Sequence, residues 1–277
     1  MSCSRPYYDD KILNLNGEPV PIPCGQCFCC RLDLQKKYVD RMFCAYHSHD
    51  CSAFVTFTYD DDHLFIKDGF LNATLVKEDL HKYLDNIKHQ LRNIDFEYFA
   101  CGEYGDKFNR PHYHVLFFGL DYQLHDKFFK KTWHKGLVKV LPCTSKAFKY
   151  VSKYIVKDTA FDNAHYYDIG LIPPFRKMSR GLGSRVYNRY LSDIFRYGFF
   201  VYKSRKIVVN RYYFNRLTLH SPLSRIYREE CIDDIFRNKQ LDSSNANLPI
   251  YDFIRQNNDA LEAQLKSRCI RKTCKSF

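Results

Sequence analysis

Long apolar runs are missing from this chain of 277 residues. No stretch contains the roughly 18 consecutive apolar residues that a transmembrane helix needs, and the first residues do not have the composition of a secretory signal peptide. Internal repeats and low-complexity segments are also absent. We therefore expect a globular protein that does not enter a membrane and is made in a cytoplasm.

Cysteine, by contrast, is abundant, with 12 residues. In a short secreted chain this number predicts disulfides, but a long chain without a signal peptide favours reduced thiols or metal ligands. Cys24, Cys27 and Cys30 have the spacing of thiolate ligands, and Cys3 would supply the fourth ligand of a tetrahedral zinc site. The alternatives are buried thiols without a metal or an iron–sulfur cluster. Cys29 would be a spare or substitute ligand.

The net charge of +12 is unevenly distributed along the chain. Residues 1–143 carry a net charge of −1, whereas residues 144–277 carry +13. The basic half is also rich in tyrosine and phenylalanine. Because cations pair with phosphates and aromatic rings stack on bases, this combination indicates a nucleic-acid surface. A basic surface that served only solubility would be expected to spread its charge.

Two apolar runs, Phe96–Cys101 and Val115–Phe118, flank a polar centre at 105–111 and predict a β-hairpin. If the turn is centred directly after position 107, directly opposed residues have numbers that sum to 215. Glu103 then lies opposite His112.

His112 and His114 share one face of the predicted strand, because side chains alternate between faces. Glu103 projects to the same side from the opposing strand. Two imidazoles and a carboxylate can hold a divalent metal and leave positions open for substrate. The competing interpretation is a polar stripe on an exposed strand.

Residues 144–157 predict a helix with tyrosines one turn apart at Tyr150 and Tyr154. Lys153 and Lys157 each follow a tyrosine by three positions. Paired tyrosines on a helix are commonly half-buried packing residues. A phenol is a poor nucleophile at its ordinary pKa near 10, but a metal and neighbouring lysines can activate it for phosphoryl transfer.

The remaining periodicities predict alternating helices and strands. The expected elements are a helix over 31–46, a strand over 52–59, a helix from an N-cap at Thr74 to 93, a short helix over 121–131 and a strand over 136–141.

Several short motifs occur in a fixed order, and together they resemble a known family. They are CGQCxCCR at 24–31, TFTY at 56–59, GEYG at 102–105, RPHYH at 110–114, YVSKYIVK at 150–157 and a loop at 174–183. The ordered set resembles the replication initiators of the gokushovirus branch of microviruses, which are HUH-type rolling-circle endonucleases. The similarity spans most of residues 1–215. Cys29 and the Gly181-Leu-Gly183 segment depart from the usual pattern.

The resemblance implies an α+β fold with a central antiparallel sheet that carries the HUH site, flanked by helices. It also implies nicking and joining of single-stranded DNA at a phage origin through a 5′-phosphotyrosyl intermediate. The residues implied are the metal ligands His112, His114 and Glu103 for Mg²⁺ or Mn²⁺, the nucleophiles Tyr150 and Tyr154, and the charge-stabilising Lys153 and Lys157.

Further partners and the place of action also follow from the resemblance. The chain has no GxxxxGK[ST] nucleotide-binding loop, so a host helicase would unwind the origin DNA and a host polymerase would extend the 3′ end. The protein would act in the cytoplasm of a bacterial host.

We expect three regions along the chain. These are a cysteine-rich segment and helix over 1–50, the HUH domain over 51–215 and a basic, mainly helical extension over 216–277. Two alternatives remain at this point. One is a plasmid relaxase or transposase of the HUH class, and the other is a non-catalytic, zinc-containing nucleic-acid-binding protein.

Overall fold

The computed structural model describes most of the chain between residues 3 and 209. The described residues are 3–13, 17–67, 72–105, 109–157 and 160–209, with ten more between 241 and 263. The side chains of 154–163 and 195–196 lie outside this description. The chain divides into two compact units, 1–37 with 189–277 and 38–188. The domain boundaries expected at 50 and 215 stay a prediction, and most of the expected C-terminal extension falls outside the described residues.

The described residues form seven helices and seven strands. In chain order they are α1 Phe28–Ser48, β1 Ser52–Tyr59, α2 Lys77–Gln90, β2 Glu97–Tyr104, β3 Pro111–Phe118, α3 Asp126–Thr132, β4 Gly136–Pro142, α4 Ser145–Lys157, α5 Ala160–Asp168, β5 Phe175–Met178, α6 Ser184–Arg189, α7 Leu191–Tyr197, β6 Phe199–Tyr202 and β7 Arg205–Val208. None of these helices has both the length and the apolarity needed to span a bilayer.

Five strands form one antiparallel sheet in the order β4-β1-β3-β2-β5. The α+β class with a central antiparallel sheet and flanking helices is therefore confirmed. The hairpin register is confirmed as well, because Glu103 lies opposite His112 and Glu97 lies opposite Phe118. A slip of one residue would have moved every side chain of one strand to the other face.

One face of this sheet carries the main apolar core. Alternate residues of β1, from Ala53 to Tyr59, are buried on this face. Helix α2 covers it with an apolar stripe that includes Tyr83, whose ring lies 4.4 Å from that of Phe57. Trp133 packs against the same Phe57 ring at 5.2 Å. Full burial of each large apolar side chain stabilises the fold by about 1.5–3 kcal/mol.

The opposite face of the sheet is covered by α4 and by the part of α1 that follows residue 37. Tyr38 of α1 packs on Phe99 of β2 with 5.8 Å between ring centroids. Phe148 of α4 lies 6.1 Å from Phe118 and 5.6 Å from Tyr46. These aromatic contacts hold α4 over the face on which the two histidines project.

Strand β5 extends the sheet at the edge beside β2, where Phe175 lies opposite Gly102. A Cβ atom at Gly102 would lie 2.7 Å from the Phe175 ring and 3.2 Å from Leu75, so only glycine leaves room for this packing. Farther along, Gly183 has φ +75°, and its N–H donates to the buried Glu97 carboxylate at 2.9 Å. The loop motif at 174–183 therefore adds an edge strand and ties it back to β2.

One helix start differs from the expectation. Thr74 was expected to cap α2, but the helix begins at Lys77, and the preceding Val76 makes no side-chain capping hydrogen bond. The buried Thr74 hydroxyl instead pairs with the Tyr104 hydroxyl at 3.2 Å and accepts the Ile172 N–H at 2.7 Å. Tertiary partners therefore outcompete the local capping role.

In the other unit, β6 and β7 form a two-stranded hairpin. Its turn residues Lys203 and Ser204 both have positive φ angles, of 48° and 59°, as tight hairpin turns require. The ring of Tyr190 stacks on Phe200 of β6 at 4.9 Å.

Candidate active site and cysteine cluster

The strand register places the predicted metal ligands on one face of the sheet, beneath α4. Glu103 on β2 is 2% exposed and His114 on β3 is 4% exposed. His114 Nε2 lies 2.5 Å from Glu103 Oε1. The carboxylate thus contacts the histidine diagonally across the ladder rather than His112, which lies directly opposite.

Helix α4 brings Tyr150 to the same two groups. The Tyr150 hydroxyl donates to Glu103 Oε1 at 3.0 Å and lies 3.4 Å from His114 Nε2. Its ring meets the His114 imidazole edge-on, with 5.1 Å between centroids. Tyr150 remains 40% exposed, so its hydroxyl is buried in the site while part of its ring faces solvent.

Lys153 accompanies Tyr150 on α4, and its Nζ lies 4.6 Å from the centroid of the Tyr150 ring. A cation above a phenol ring favours the phenolate that a nucleophilic attack requires. The side chains of Tyr154 and Lys157 lie outside the described residues, although both positions belong to α4. Their predicted roles therefore stay predictions.

Two neighbouring groups orient the imidazoles. Thr56 on β1 places its Oγ1 2.9 Å from His114 Nδ1, and the Pro111 carbonyl oxygen lies 2.8 Å from His112 Nδ1. A partner at Nδ1 leaves Nε2 of each ring as the atom available to a metal. Gly105 lets His112 approach, because a Cβ at that position would lie 3.1 Å from His112 Nε2.

The three predicted ligands are only partly assembled. The rings of His112 and His114 are 6.4 Å apart between centroids. Glu103 Oε2 is buried and has no hydrogen-bond partner among the described residues. A buried carboxylate oxygen without a partner is costly unless another group satisfies it. Two imidazoles and this oxygen therefore fit a divalent cation.

The site face is open on the side of β4. Thr56 lies opposite Lys139, and the neighbouring β4 residues on this face, Leu137 and Leu141, are 75% and 39% exposed. Lys139 is exposed as well. An extended strand of nucleic acid would find here a cation and apolar surface next to the histidines.

A second group of potential ligands is formed by four of the predicted cysteines. The sulfur atoms of Cys3, Cys24, Cys27 and Cys30 all lie within 4.8 Å of one another. Cys29 is buried next to Cys30 in sequence but does not belong to this group. The nine cysteines in the described part of the chain are all thiols and form no disulfide.

The local environment changes the acidity of these thiols. Burial acts to raise the pKa of Cys27, but hydrogen bonds to its sulfur from the Cys30 backbone and from Ser4 outweigh this effect and lower the pKa to about 6. Burial raises the pKa of Cys3 and of Cys30. The cluster therefore contains one thiol that is largely deprotonated at neutral pH.

Sequence reasoning did not single out Thr56 or Arg110 as site residues. The Arg110 guanidinium donates to the Tyr59 carbonyl at 3.0 Å and pairs with Asp61 at 2.5 Å, which fastens the hairpin to the end of β1. Both residues stand inside motifs of the resemblance. Their contacts depend on the pairing of β1 with β3, which separates them from their partners by 49 to 58 residues.

Comparison with known proteins agrees with this geometry. Residues 52–159 match the family model of the phage replication-associated protein ORF2. This segment extends from β1 to the end of α4 and contains all the predicted metal ligands and tyrosines of the sheet site. No solved structure gave a significant match.

Individual relatives come from small phages. The chain is 26% identical over 227 residues to replication-associated protein VP4 of Bdellovibrio phage phiMH2K, which covers 73% of this chain and 72% of the relative. It is 28% identical to replication-associated protein ORF2 of Spiroplasma virus 4, over 60% of this chain and 57% of that protein. The match to ORF4 of Chlamydia phage 1 is 28% identical and covers 50% of this chain and 38% of that protein. The resemblance to microvirus-like replication-associated proteins is thereby confirmed.

Proposed function

We propose that this chain is a phage replication initiator that nicks and joins single-stranded DNA at an origin and so starts rolling-circle replication. The phage relatives support a role in replication. The observation that carries the chemistry is the contact of one tyrosine hydroxyl with a buried carboxylate and a buried imidazole, at 3.0 and 3.4 Å.

The residues present fit Mg²⁺ or Mn²⁺, which His112, His114 and Glu103 would hold and which would polarise the scissile phosphate. The chain itself orients these ligands. Thr56 fixes the His114 ring through Nδ1, and the unpartnered Glu103 Oε2 gives the site a buried negative oxygen.

In the proposed reaction, the Tyr150 oxygen attacks the phosphorus of the scissile phosphodiester. The new bond is a 5′-phosphotyrosyl ester, and the bond that breaks is the one between phosphorus and the 3′ oxygen. Glu103 Oε1, which already accepts the Tyr150 hydrogen bond, is positioned to take the phenolic proton. The 3′ oxygen leaves with a proton from solvent and becomes the primer hydroxyl. Lys153 offsets the negative charge that develops.

A second tyrosine would serve the second cut of each replication round, when the first DNA end is still attached. Tyr154 lies one turn from Tyr150 on α4, a rise of about 6 Å. On this proposal the two phenols alternate over a single site.

The test uses a random-sequence library of labelled single-stranded oligonucleotides, incubated with the full chain and Mg²⁺ or Mn²⁺. We expect a protein–DNA band that survives denaturing electrophoresis, and sequencing of the attached DNA would identify the origin. Tyr150→Phe should lose most of the covalent product, and the double variant with Tyr154→Phe should form none. Tyr167→Phe, an exposed tyrosine on α5, is the matched control and should retain the product.

Mass spectrometry of the covalent product locates the attachment. Adducts at both Tyr150 and Tyr154 under multiple turnover agree with alternation, whereas attachment at one position only contradicts it. Binding that is lost on denaturation under all conditions would contradict the enzyme and favour a nucleic-acid-binding protein without catalytic activity.

A further inference from the structure

The segment before α1 has little apolar core of its own. Four of its large apolar side chains are between 39% and 54% exposed, namely Tyr7, Tyr8, Ile12 and Leu13. Its described backbone pairs through two isolated bridges, Tyr7 with Ile22 and Leu13 with Pro19. Segments with so little buried apolar area usually need a disulfide or a metal to hold one conformation.

The cysteine sulfurs are arranged around a single point rather than in bonded pairs. Cys3 Sγ lies 3.5 Å from Cys24 Sγ and 3.9 Å from Cys27 Sγ, which is too far for a disulfide bond of about 2.05 Å. Four thiolates at about 2.3 Å from one zinc ion, in a tetrahedron, are separated by about 3.8 Å. The observed separations fit that geometry.

Backbone amides point at three of these sulfurs. The N–H groups of Cys24, Cys27 and Cys30 donate to the sulfurs of Cys3, Cys24 and Cys27 at 3.3, 3.3 and 3.4 Å. Such donors stabilise the thiolate form that binds metal. Gly25, between the first two ligands of the motif, has φ +74°, a conformation in which other residues are strained.

We propose that Cys3, Cys24, Cys27 and Cys30 bind one structural Zn²⁺ ion. The ion joins the beginning of the chain to the first turn of α1, where Cys30 lies, and closes the 3–30 segment into a loop. Because the ligands come together only in the folded segment, the free energy of metal binding is also free energy of folding.

The geometry favours a single ion over a cluster of several irons. A multi-iron cluster places iron and sulfide atoms between its thiolates and so holds them farther apart than the 4.8 Å limit seen here. Cys29 lies outside the sulfur group, so the site needs no fifth cysteine. The inference is independent of the DNA chemistry, because it concerns metal content and not activity.

The first test measures metals in the full chain, purified without chelator, by inductively coupled plasma mass spectrometry. We expect one zinc per chain in the wild type, the same in Cys29→Ala, and loss of zinc in Cys27→Ser and in Cys3→Ser. Replacement of zinc by Co²⁺ should give the intense visible absorption of a tetrahedral thiolate site. A strong chelator should lower the midpoint of thermal unfolding of the wild type.

Cys29→Ala controls for the removal of any thiol from this motif. Zinc loss in this variant equal to that in Cys27→Ser would overturn the ligand assignment. So would a wild-type chain that is folded yet carries neither zinc nor a cobalt spectrum. Iron in place of zinc would overturn the identity of the metal. If the serine variants fail to fold, the cobalt spectrum of the wild type still decides the proposal.

Discussion

At the scale of single residues, the sheet site depends on how each imidazole is oriented. His114 has a partner on both ring nitrogens, Thr56 Oγ1 at 2.9 Å and Glu103 Oε1 at 2.5 Å. A hydroxyl can donate or accept a hydrogen bond. Thr56 therefore supports the His114 ring both when Nε2 carries a proton toward Glu103 and when Nε2 is a ligand.

This role of Thr56 gives a test of the site that does not remove a ligand. Thr56→Val keeps the shape of the side chain but removes its hydrogen bond to His114. Loss of an outer partner of a ligand typically costs about 10–100-fold in metal affinity. We expect the metal concentration that gives half-maximal cleavage to rise by that factor, measured by titration with Mn²⁺.

Thr58→Val is the matched control, because Thr58 lies on the same strand and face and is paired with His112 across the ladder. No hydrogen bond of its side chain is seen among the described residues. An equal increase in the metal requirement for Thr56→Val and Thr58→Val would show that Thr56 has no specific positioning role.

At the scale of elements, the sequence predicted local structure better than long-range pairing. The hairpin register followed from two apolar runs around a polar turn, and it placed Glu103 opposite His112 as observed. The α4 helix followed from apolar periodicity, and Phe148 and Val151 are buried as expected.

The missed features depend on partners that are distant in sequence. Thr74 bonds to Tyr104 and Ile172 and not to its own helix, and the β5 edge strand is too short to show a clear alternation. The sequence could not show that the Glu103 carboxylate contacts His114 diagonally, because strand register does not determine side-chain rotamers. Zinc, catalytic metal and DNA contacts stay predictions.

The Gly102 position tests how β5 is held against β2. Gly102→Ala places a Cβ 2.7 Å from the Phe175 ring and 3.2 Å from Leu75, and such overpacking typically costs about 1–3 kcal/mol. We expect the free energy of unfolding to fall by this amount in a urea titration. Combined with Phe175→Leu, which shortens the opposing side chain, the substitution should cost less than the sum of the two single changes. Strict additivity would show that the two positions do not compete for the same space.

At the scale of the whole molecule, binding and cleavage depend on different groups. The basic half at 144–277 carries a net charge of +13, whereas the metal-ligand set is confined to three buried or half-buried residues of two strands. Contacts with phosphates dominate the affinity of proteins for DNA and are weakened by salt. The sheet site should therefore contribute little to affinity, and the cationic surface should contribute little to the bond-breaking step.

This separation predicts that the double variant His112→Ala with His114→Ala loses cleavage and covalent product but retains affinity for single-stranded DNA within a few-fold. Neither imidazole supplies a permanent positive charge, so the slope of log K against log salt should match that of the wild type. Lys139→Ala removes an exposed cation beside the site, and it should reduce the magnitude of this slope by about 0.7 if the lysine neutralises one phosphate. Lys88→Ala is the matched control, because Lys88 lies on α2, which covers the other face of the sheet, and pairs with Asp85 at 2.9 Å. Fluorescence anisotropy at several salt concentrations, run beside the denaturing gel, measures both properties. Cleavage by the double histidine variant in chelator-treated buffer at the wild-type rate would remove the metal site from the proposed mechanism, and an unchanged slope for Lys139→Ala would remove β4 from the proposed path of the DNA.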